Sequence, residues 1–295
     1  MTPLRAKYQR DLTVRGLALR TQQSYTSYVI DLANYFHRSP DRIAYDEVVD
    51  WLHYLIRDRE LAPSSVHIAV NAVRFLYSVT LHRDVDELMA AVPRMKRHTR
   101  RAEAYAKSEL EAILTAPLQP RDRAFLMTVY AAGLRLSEAT QLQTRDIDRP
   151  RMQLRVRHGK GGKERVLPLS PRLLQELESY WRAQRLGRPG HDVPWLFLGA
   201  SPNQPLHKGT GQNIYYRAVK KSGVRRKGGI HVLRHSYATH CIESGLELTL
   251  VQRLLGHSSL LTTARYLHVT AARLGEIRSP LDLIEFHSLA PQRQP

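Results

Sequence analysis

Four short polar clusters carry residue types capable of chemistry. The first is Gly133-Leu134-Arg135-Leu136-Ser137-Glu138. Arg135 follows a glycine-made corner between two apolar segments. It either pairs with Glu138, three residues on, or is kept for an anion. The second is Lys160, within His158-Gly159-Lys160-Gly161-Gly162-Lys163. The flanking glycines permit close approach to a backbone or a ligand, or simply make a turn with solvated lysines. The third is His231-Val232-Leu233-Arg234-His235-Ser236. His231 and Arg234 share a face at the start of a predicted helix, which suits an anion, or else they are two surface residues near a cap. The fourth is Leu254-Leu255-Gly256-His257-Ser258-Ser259, with Tyr266 nine residues after His257. A tyrosine in a helix is most often a core residue, and a histidine after a helix is often only a cap.

Several chemistries lack their residues. The glycine-lysine run does not have the G-x-x-x-x-G-K-[ST] spacing of a phosphate loop, and it sits between predicted strands rather than before a helix. No G-x-S-x-G elbow and no H-E-x-x-H motif occurs. His231 and His235 are four apart on a helix, but no carboxylate stands where a hydrolytic metal site needs one. The sequence has one cysteine, Cys241, so no intrachain disulfide and no cysteine-rich zinc site is possible. Neither a cofactor nor a metal is expected.

The elements that must position these residues follow from periodicity and capping signals. Apolar residues at three- and four-residue spacing predict a helix capped by Thr21 and running to Phe36. A second starts near Asp46 and buries Val48, Val49, Leu52, Leu55 and Ile56. A third starts at Pro63 and runs through Ile68, Val70, Val73, Phe75, Leu76 and Val79. Leu4 to Leu12 form a short leading helix. Pro93 to Arg101 is then a proline-started basic run, read as an interdomain linker along a phosphate backbone. Beyond it, Ser108 caps a helix to about Ala116, and another runs from Arg121 to Ala132 and stops at Gly133. Gln153 to Arg157 and Glu164 to Leu169 read as strands flanking the glycine-rich turn. Helices follow at about Pro171 to Arg185 and Gln212 to Lys221, with Trp195 to Leu198 a strand or buried turn between them. Further helical segments cover His231 to Ser244, Leu248 to Leu255 and Leu260 to Val269. The tail holds one apolar patch, Leu281 to Phe286.

The fold class is therefore mainly α with a small β-sheet (α+β). The domains are 1–92, helical; 93–103, a basic linker; 104–279, the unit holding all four clusters; and 280–295, a tail. The 295 residues carry 45 Lys+Arg against 27 Asp+Glu, a formal charge of +18. Hydrophobic residues make up 42 %, too many for a disordered chain. The charge favours a polyanionic partner, most simply nucleic acid. No apolar run reaches the roughly 18 residues of a membrane span, and the start does not read as a signal peptide. The expected location is cytoplasmic and nucleoid-associated.

Taken together and in order, the clusters resemble the tyrosine recombinases, the phage-integrase and Xer-type strand-exchange enzymes. The resemblance covers roughly Thr21 to Val269. It extends through Gly159-Lys160-Gly161-Gly162-Lys163-Glu164-Arg165-Val166-Leu167-Pro168-Leu169 and His231 to His240. It implies a SAM-like core-binding domain in the first helices and a catalytic domain after it. It implies that Tyr266 is the nucleophile, that Arg135 and Arg234 grip the scissile phosphate, and that Lys160 is the general acid for the leaving 5′-oxygen. It further implies that His231 assists proton transfer at the tyrosine and that His257 hydrogen-bonds the phosphate. Lys96, Arg97, Arg100, Arg101 and Lys163 are expected to touch DNA.

The chemistry explains these types. Two guanidiniums match phosphate oxygens and favour a charge-rich transition state. A phenol, with a pKa of about 10, needs a base and nearby positive charge to ionise. A phosphotyrosine retains the energy of the broken bond, so rejoining needs no ATP or metal. The partners implied are double-stranded DNA, gripped in a C-shaped clamp, and three further copies in a homotetramer, with no membrane. Two departures stand out. The stretch between Leu169 and His231 lacks the integron-integrase insertion, and the tail does not closely match the Xer type. A type IB topoisomerase-like enzyme and a catalytically silent DNA-binding protein are the rival readings.

Overall fold

A computed structural model describes residues 2–92, 103–117, 119–157, 164–187, 192–201, 203–257 and 259–264. The chain divides into two compact units, Met1–Arg100 and Arg101–Pro295. As the sequence predicts, the fold is mainly α with one small sheet. Among the described residues no helix is long and apolar enough to cross a membrane.

The first unit is a helical bundle. Its helices are α1 (Pro3–Val14), α2 (Leu19–Phe36), α3 (Tyr45–Arg57), α4 (Pro63–Phe75) and the short α5 (Asp86–Ala91). Pro3 and Pro63 each open a helix, where the missing N–H costs nothing. Thr21 is not the cap of α2. The helix begins two residues earlier, and the Thr21 N–H already donates to the Ala18 carbonyl. On α3, Val48, Leu52 and Leu55 are buried as expected, while Val49 and Ile56 pack at the edge. Trp51 is buried as well, and its Nε1–H donates to Asp31, satisfying the one polar atom the ring brings inside. The buried face of α4 is Val66, Ala69, Ala72 and Val73. Ile68, expected to belong to it, is exposed, because the small alanines let α2 and α4 pack closely along the other stripe.

The second unit contains α6 (Lys107–Thr115), α7 (Pro120–Ala131), α8 (Leu136–Thr140), β1 (Ile147–Asp148), β2 (Gln153–Val156) and β3 (Arg165–Pro168). It continues with α9 (Pro171–Gln184), α10 (Lys208–Ser222), α11 (His231–Glu243), α12 (Leu248–Leu255) and α13 (Leu260–Ala264). The strands form an antiparallel sheet in the order β1-β2-β3, with Leu154 opposite Leu167 and Val156 opposite Arg165. Leu154, Val156 and Leu167 face the core by the two-residue alternation.

Two predicted boundaries shift for local reasons. Glu109, not Ser108, caps α6, its carboxylate accepting from the Ala106 N–H at 2.7 Å. The helix α10 starts at Lys208 rather than Gln212, because His207 Nδ1 accepts from the Gly209 N–H. Trp195 to Leu198 is a buried turn with isolated bridges, Gln143 to Trp195 and Leu198 to Pro205. The wholly buried Arg185 donates to the carbonyls of Val193, Trp195 and Leu196 there. The expected extension of the last helix to Val269, and the apolar tail, lie outside the described residues.

The start of the unit is tied to α11. The Tyr105 N–H donates to Ser236 Oγ at 2.9 Å, and the Tyr105 hydroxyl meets that of Tyr215 at 2.7 Å. Both rings are buried.

Helices α7 and α12 end alike. After α7, Gly133 is left-handed at φ 55°, the Leu134 N–H bonds the Val129 carbonyl and the Gly133 N–H bonds that of Tyr130. After α12, Gly256 is left-handed at φ 62°, with His257 bonded to Gln252 and Gly256 to Arg253. Both are Schellman stops, in which glycine bears no Cβ penalty. At Gly133 space is closed too, since a Cβ would lie 2.4 Å from the Tyr237 ring. We expect G133A to lower stability by about 2 kcal/mol, combining backbone strain and overpacking. Urea denaturation of the variant against wild type checks this, and an unchanged midpoint would refute it.

Candidate active site

The site grows from two helix ends. A helix leaves its last carbonyls without partners and carries a partial negative charge there. At the end of α12 three consecutive carbonyls are each capped by a different arginine. Arg165 Nε donates to Leu254 O at 2.9 Å, Arg234 Nη2 to Leu255 O at 2.5 Å and Arg135 Nη2 to Gly256 O at 3.1 Å. At the end of α7, the Gly133 carbonyl accepts from Arg234 Nη1 at 2.8 Å.

Glu138, from the first turn of α8, holds these arginines together. Its Oε1 accepts from Arg135 Nη1 at 2.7 Å, and its Oε2 accepts from the Arg135 N–H at 2.8 Å. Arg165 grips both oxygens as a fork, at 2.9 and 2.8 Å. Arg234 Nη1 lies 3.7 Å from Oε2. The Glu138 side chain is 1 % exposed. Burial alone would raise its pKa, but the hydrogen bonds and charge of Arg165, then of Arg135, outweigh it and hold the carboxyl down at about 2. Three guanidiniums against one carboxylate leave this cluster with positive charge to spare. Arg135 keeps 22 % of its side chain exposed, whereas Arg234 is 1 % exposed.

Two histidines flank the arginines. His231 opens α11 one turn before Arg234. Partial burial, then the charges of Arg234 and Arg135, hold its imidazole below the ordinary range, although the residue keeps a solvent-exposed side. His257 directly follows Gly256. Burial, then Arg234 and Arg135, bring its pKa down to about 4, so it is neutral at pH 7. Its Nδ1 meets Thr263 Oγ1 at 2.9 Å.

The structure thus brings Arg135, His231, Arg234 and His257 together, and both readings left open for Arg135 meet in one residue, ion-paired and partly exposed. Arg234 is no surface residue near a cap. Lys160, Lys163, Tyr266, Lys96, Arg97, Arg100 and Arg101 lie outside the described residues. Sequence reasoning missed Arg165 and Thr263. Arg165 shares a strand face with the buried Leu167, and an arginine on a core-facing register signals a buried anion. Thr263 gave no such signal. Among the described residues no three His, Cys, Asp or Glu side chains gather as a metal site would require.

Residues 102–273 match the model of the phage integrase family, and residues 4–87 match its N-terminal SAM-like domain. The chain belongs to the phage integrase family. Among integrase-family relatives, a putative integrase/recombinase of Sinorhizobium fredii is 38 % identical over 284 residues, covering 96 % of this chain and 90 % of the relative. The tyrosine recombinase XerD of Vibrio cholerae is 31 % identical, over 90 % of this chain and 91 % of its own length. Among solved structures, the XerH site-specific recombinase bound to palindromic difH substrate, a post-cleavage complex, superposes with a TM-score of 0.72. The match has 22 % identity and covers 89 % of this chain and 80 % of that one.

Two outcomes follow for this integrase-family site. E138Q leaves the buried guanidiniums without their counter-charge and lowers stability at pH 7 by about 3–5 kcal/mol, read by chemical denaturation. In the wild type, the folded-state pKa of Glu138 lies below the ordinary 4.5. Its contribution, about 3 kcal/mol by linkage, is therefore complete above about pH 4.5 and is lost as the pH falls toward 2. Denaturation across that window shows an acid loss in wild type that E138Q lacks. The second outcome concerns His257. Its imidazole titrates near pH 4 by NMR, and a midpoint above 6 would contradict the charged, half-buried setting described.

Proposed function

We propose that this chain is a site-specific DNA recombinase that cuts and rejoins duplex DNA through a 3′-phosphotyrosine intermediate. The observation that carries the reading is the cluster of Arg135, Arg234 and His257 on the end of α12. It is an electropositive, partly open site of fixed guanidiniums in a chain of the phage integrase family. Such a site suits an anion whose charge grows in the transition state.

In the proposed step, Arg135 and Arg234 hold the non-bridging oxygens of the scissile phosphate, and His257 donates to one of them. The Tyr266 oxygen attacks phosphorus as its proton leaves with the assistance of His231. The bond from phosphorus to the 5′-oxygen breaks, and Lys160 gives that oxygen a proton. A neutral His231, as its depressed pKa implies, is in the form that accepts a proton. The free 5′-hydroxyl of a second strand then attacks the phosphotyrosine, restoring the phosphodiester and releasing Tyr266. No bond energy is lost, so neither ATP nor a metal is required by the balance of the step. Strand exchange in two rounds passes through a Holliday junction in a homotetramer.

The domain assignment belongs to the same proposal. Residues 1–92 form a core-binding domain, 93–103 a basic linker and 104–279 the catalytic domain, with 280–295 a tail. Lys96, Arg97, Arg100, Arg101 and Lys163 contact the DNA backbone. The net charge of +18 supports a polyanionic partner with strongly salt-dependent affinity. The biological use is integration or excision of a mobile element, or dimer resolution, in the cytoplasm on the nucleoid.

The test is covalent trapping. The purified chain is incubated with a nicked DNA pool from the flanks of its own coding region, without metal or ATP, and denatured. A protein–DNA adduct is expected in wild type and absent in Y266F, which still binds DNA. An adduct that persists in Y266F overturns the nucleophile assignment. Tight, salt-sensitive binding without any adduct overturns catalysis, and relaxation of site-free supercoiled plasmid favours the topoisomerase reading.

A further inference from the structure

The contact between His257 and Thr263 decides which imidazole nitrogen carries a proton. Thr263 lies on α13 and is wholly buried. Its hydroxyl proton therefore has no water to bind. Among the described residues its oxygen meets only His257 Nδ1, at 2.9 Å. The two possible arrangements are unequal. If Nδ1–H donated to the threonine oxygen, the hydroxyl proton would be left buried without an acceptor, which is costly. If the hydroxyl donates to Nδ1, both groups are satisfied and the ring proton resides on Nε2.

The rest of the site makes this choice matter. Burial, then the charges of Arg234 and Arg135, keep the His257 ring neutral at pH 7. A neutral ring has one N–H only. Nε2, which has no hydrogen-bond partner among the described residues, is then either a donor or a lone pair. A donor attracts a phosphate oxygen, while a lone pair repels it.

We propose that Thr263 is a positioning residue that fixes His257 as the Nε2–H tautomer, so that His257 meets the scissile phosphate as a hydrogen-bond donor. The proposal rests on the reading of His257 as a phosphate contact. It adds a residue that touches no DNA, acts through another side chain and precedes Tyr266 by three positions in the sequence.

The test has one readout without DNA and one with it. Long-range proton–nitrogen NMR of the free, full-length protein, assigned with H257A, reads the tautomer. The wild type shows Nε2–H, T263V moves the population toward Nδ1–H, and T263S keeps the wild-type form. On the nicked DNA pool, T263V forms the covalent adduct about tenfold more slowly, T263S restores the rate, and H257A with T263V is no slower than H257A alone. An Nδ1–H ring in wild type, an unchanged tautomer in T263V, or an additional defect of T263V on top of H257A would each overturn the assignment. H257A reacting at the wild-type rate would overturn the phosphate-contact reading itself. The spectrum recorded without DNA keeps the two failures apart.

Discussion

Guanidiniums crowded into a buried space repel one another, and the repulsion grows as water is excluded. Arg135, Arg165 and Arg234 come from a loop corner, a strand and a helix, and nothing in those elements alone would keep them close. Glu138 does so by standing among all three. Its carboxylate accepts a fork from one arginine and a side-chain and a backbone hydrogen bond from another. It does not neutralise the group. That imbalance leaves the cluster able to attract an anion, which a group with every charge matched would not do.

The end of α12 contributes in a less obvious way. A helix C-terminus is ordinarily a poor place for an anion, since its carbonyls point outward with partial negative charge. Here each of three carbonyls accepts from an arginine, so the helix end anchors the cations and is itself masked. The two glycine stops make this geometry possible. Gly133 and Gly256 both turn the chain sharply enough for their helix ends to meet the same guanidinium, that of Arg234. A Cβ on Gly256 would lie 3.2 Å from Arg165 Nη1, so the stop and the ion pair share one space.

Much of this was legible in the sequence, and what was not has physical reasons. The clusters around Arg135, Arg234 and His257 could be found because residue type, order and spacing agree over long stretches. The bundle and the hairpin could be read because their apolar periods are regular. Thr21 misled because a good capping residue inside a helix looks like one at its start, and only the hydrogen bond to Ala18 separates the two. Ile68 misled because hydrophobicity favours it over Ala69, whereas close helix packing favours the smaller side chain. Arg165 was missed because its partner Glu138 lies 27 residues away, and Thr263, although only six residues from His257, because a threonine in a short helix is not marked by its type or spacing as the partner of an imidazole. A local pattern carries no trace of such pairings.

The carbonyl anchors have a consequence for how this chain can drift over generations. A backbone oxygen is supplied by every amino acid, so the side chains at 254 and 255 can be exchanged by mutation without removing the acceptors for Arg165 and Arg234. Selection on this part of the site therefore acts on the path of the main chain and on the arginines themselves, with the apolar identity of the helix end constrained only by packing. Lineages can rewrite the surface of α12 around an unaltered arginine cluster, and a designer who wishes to change what this helix touches has the same freedom.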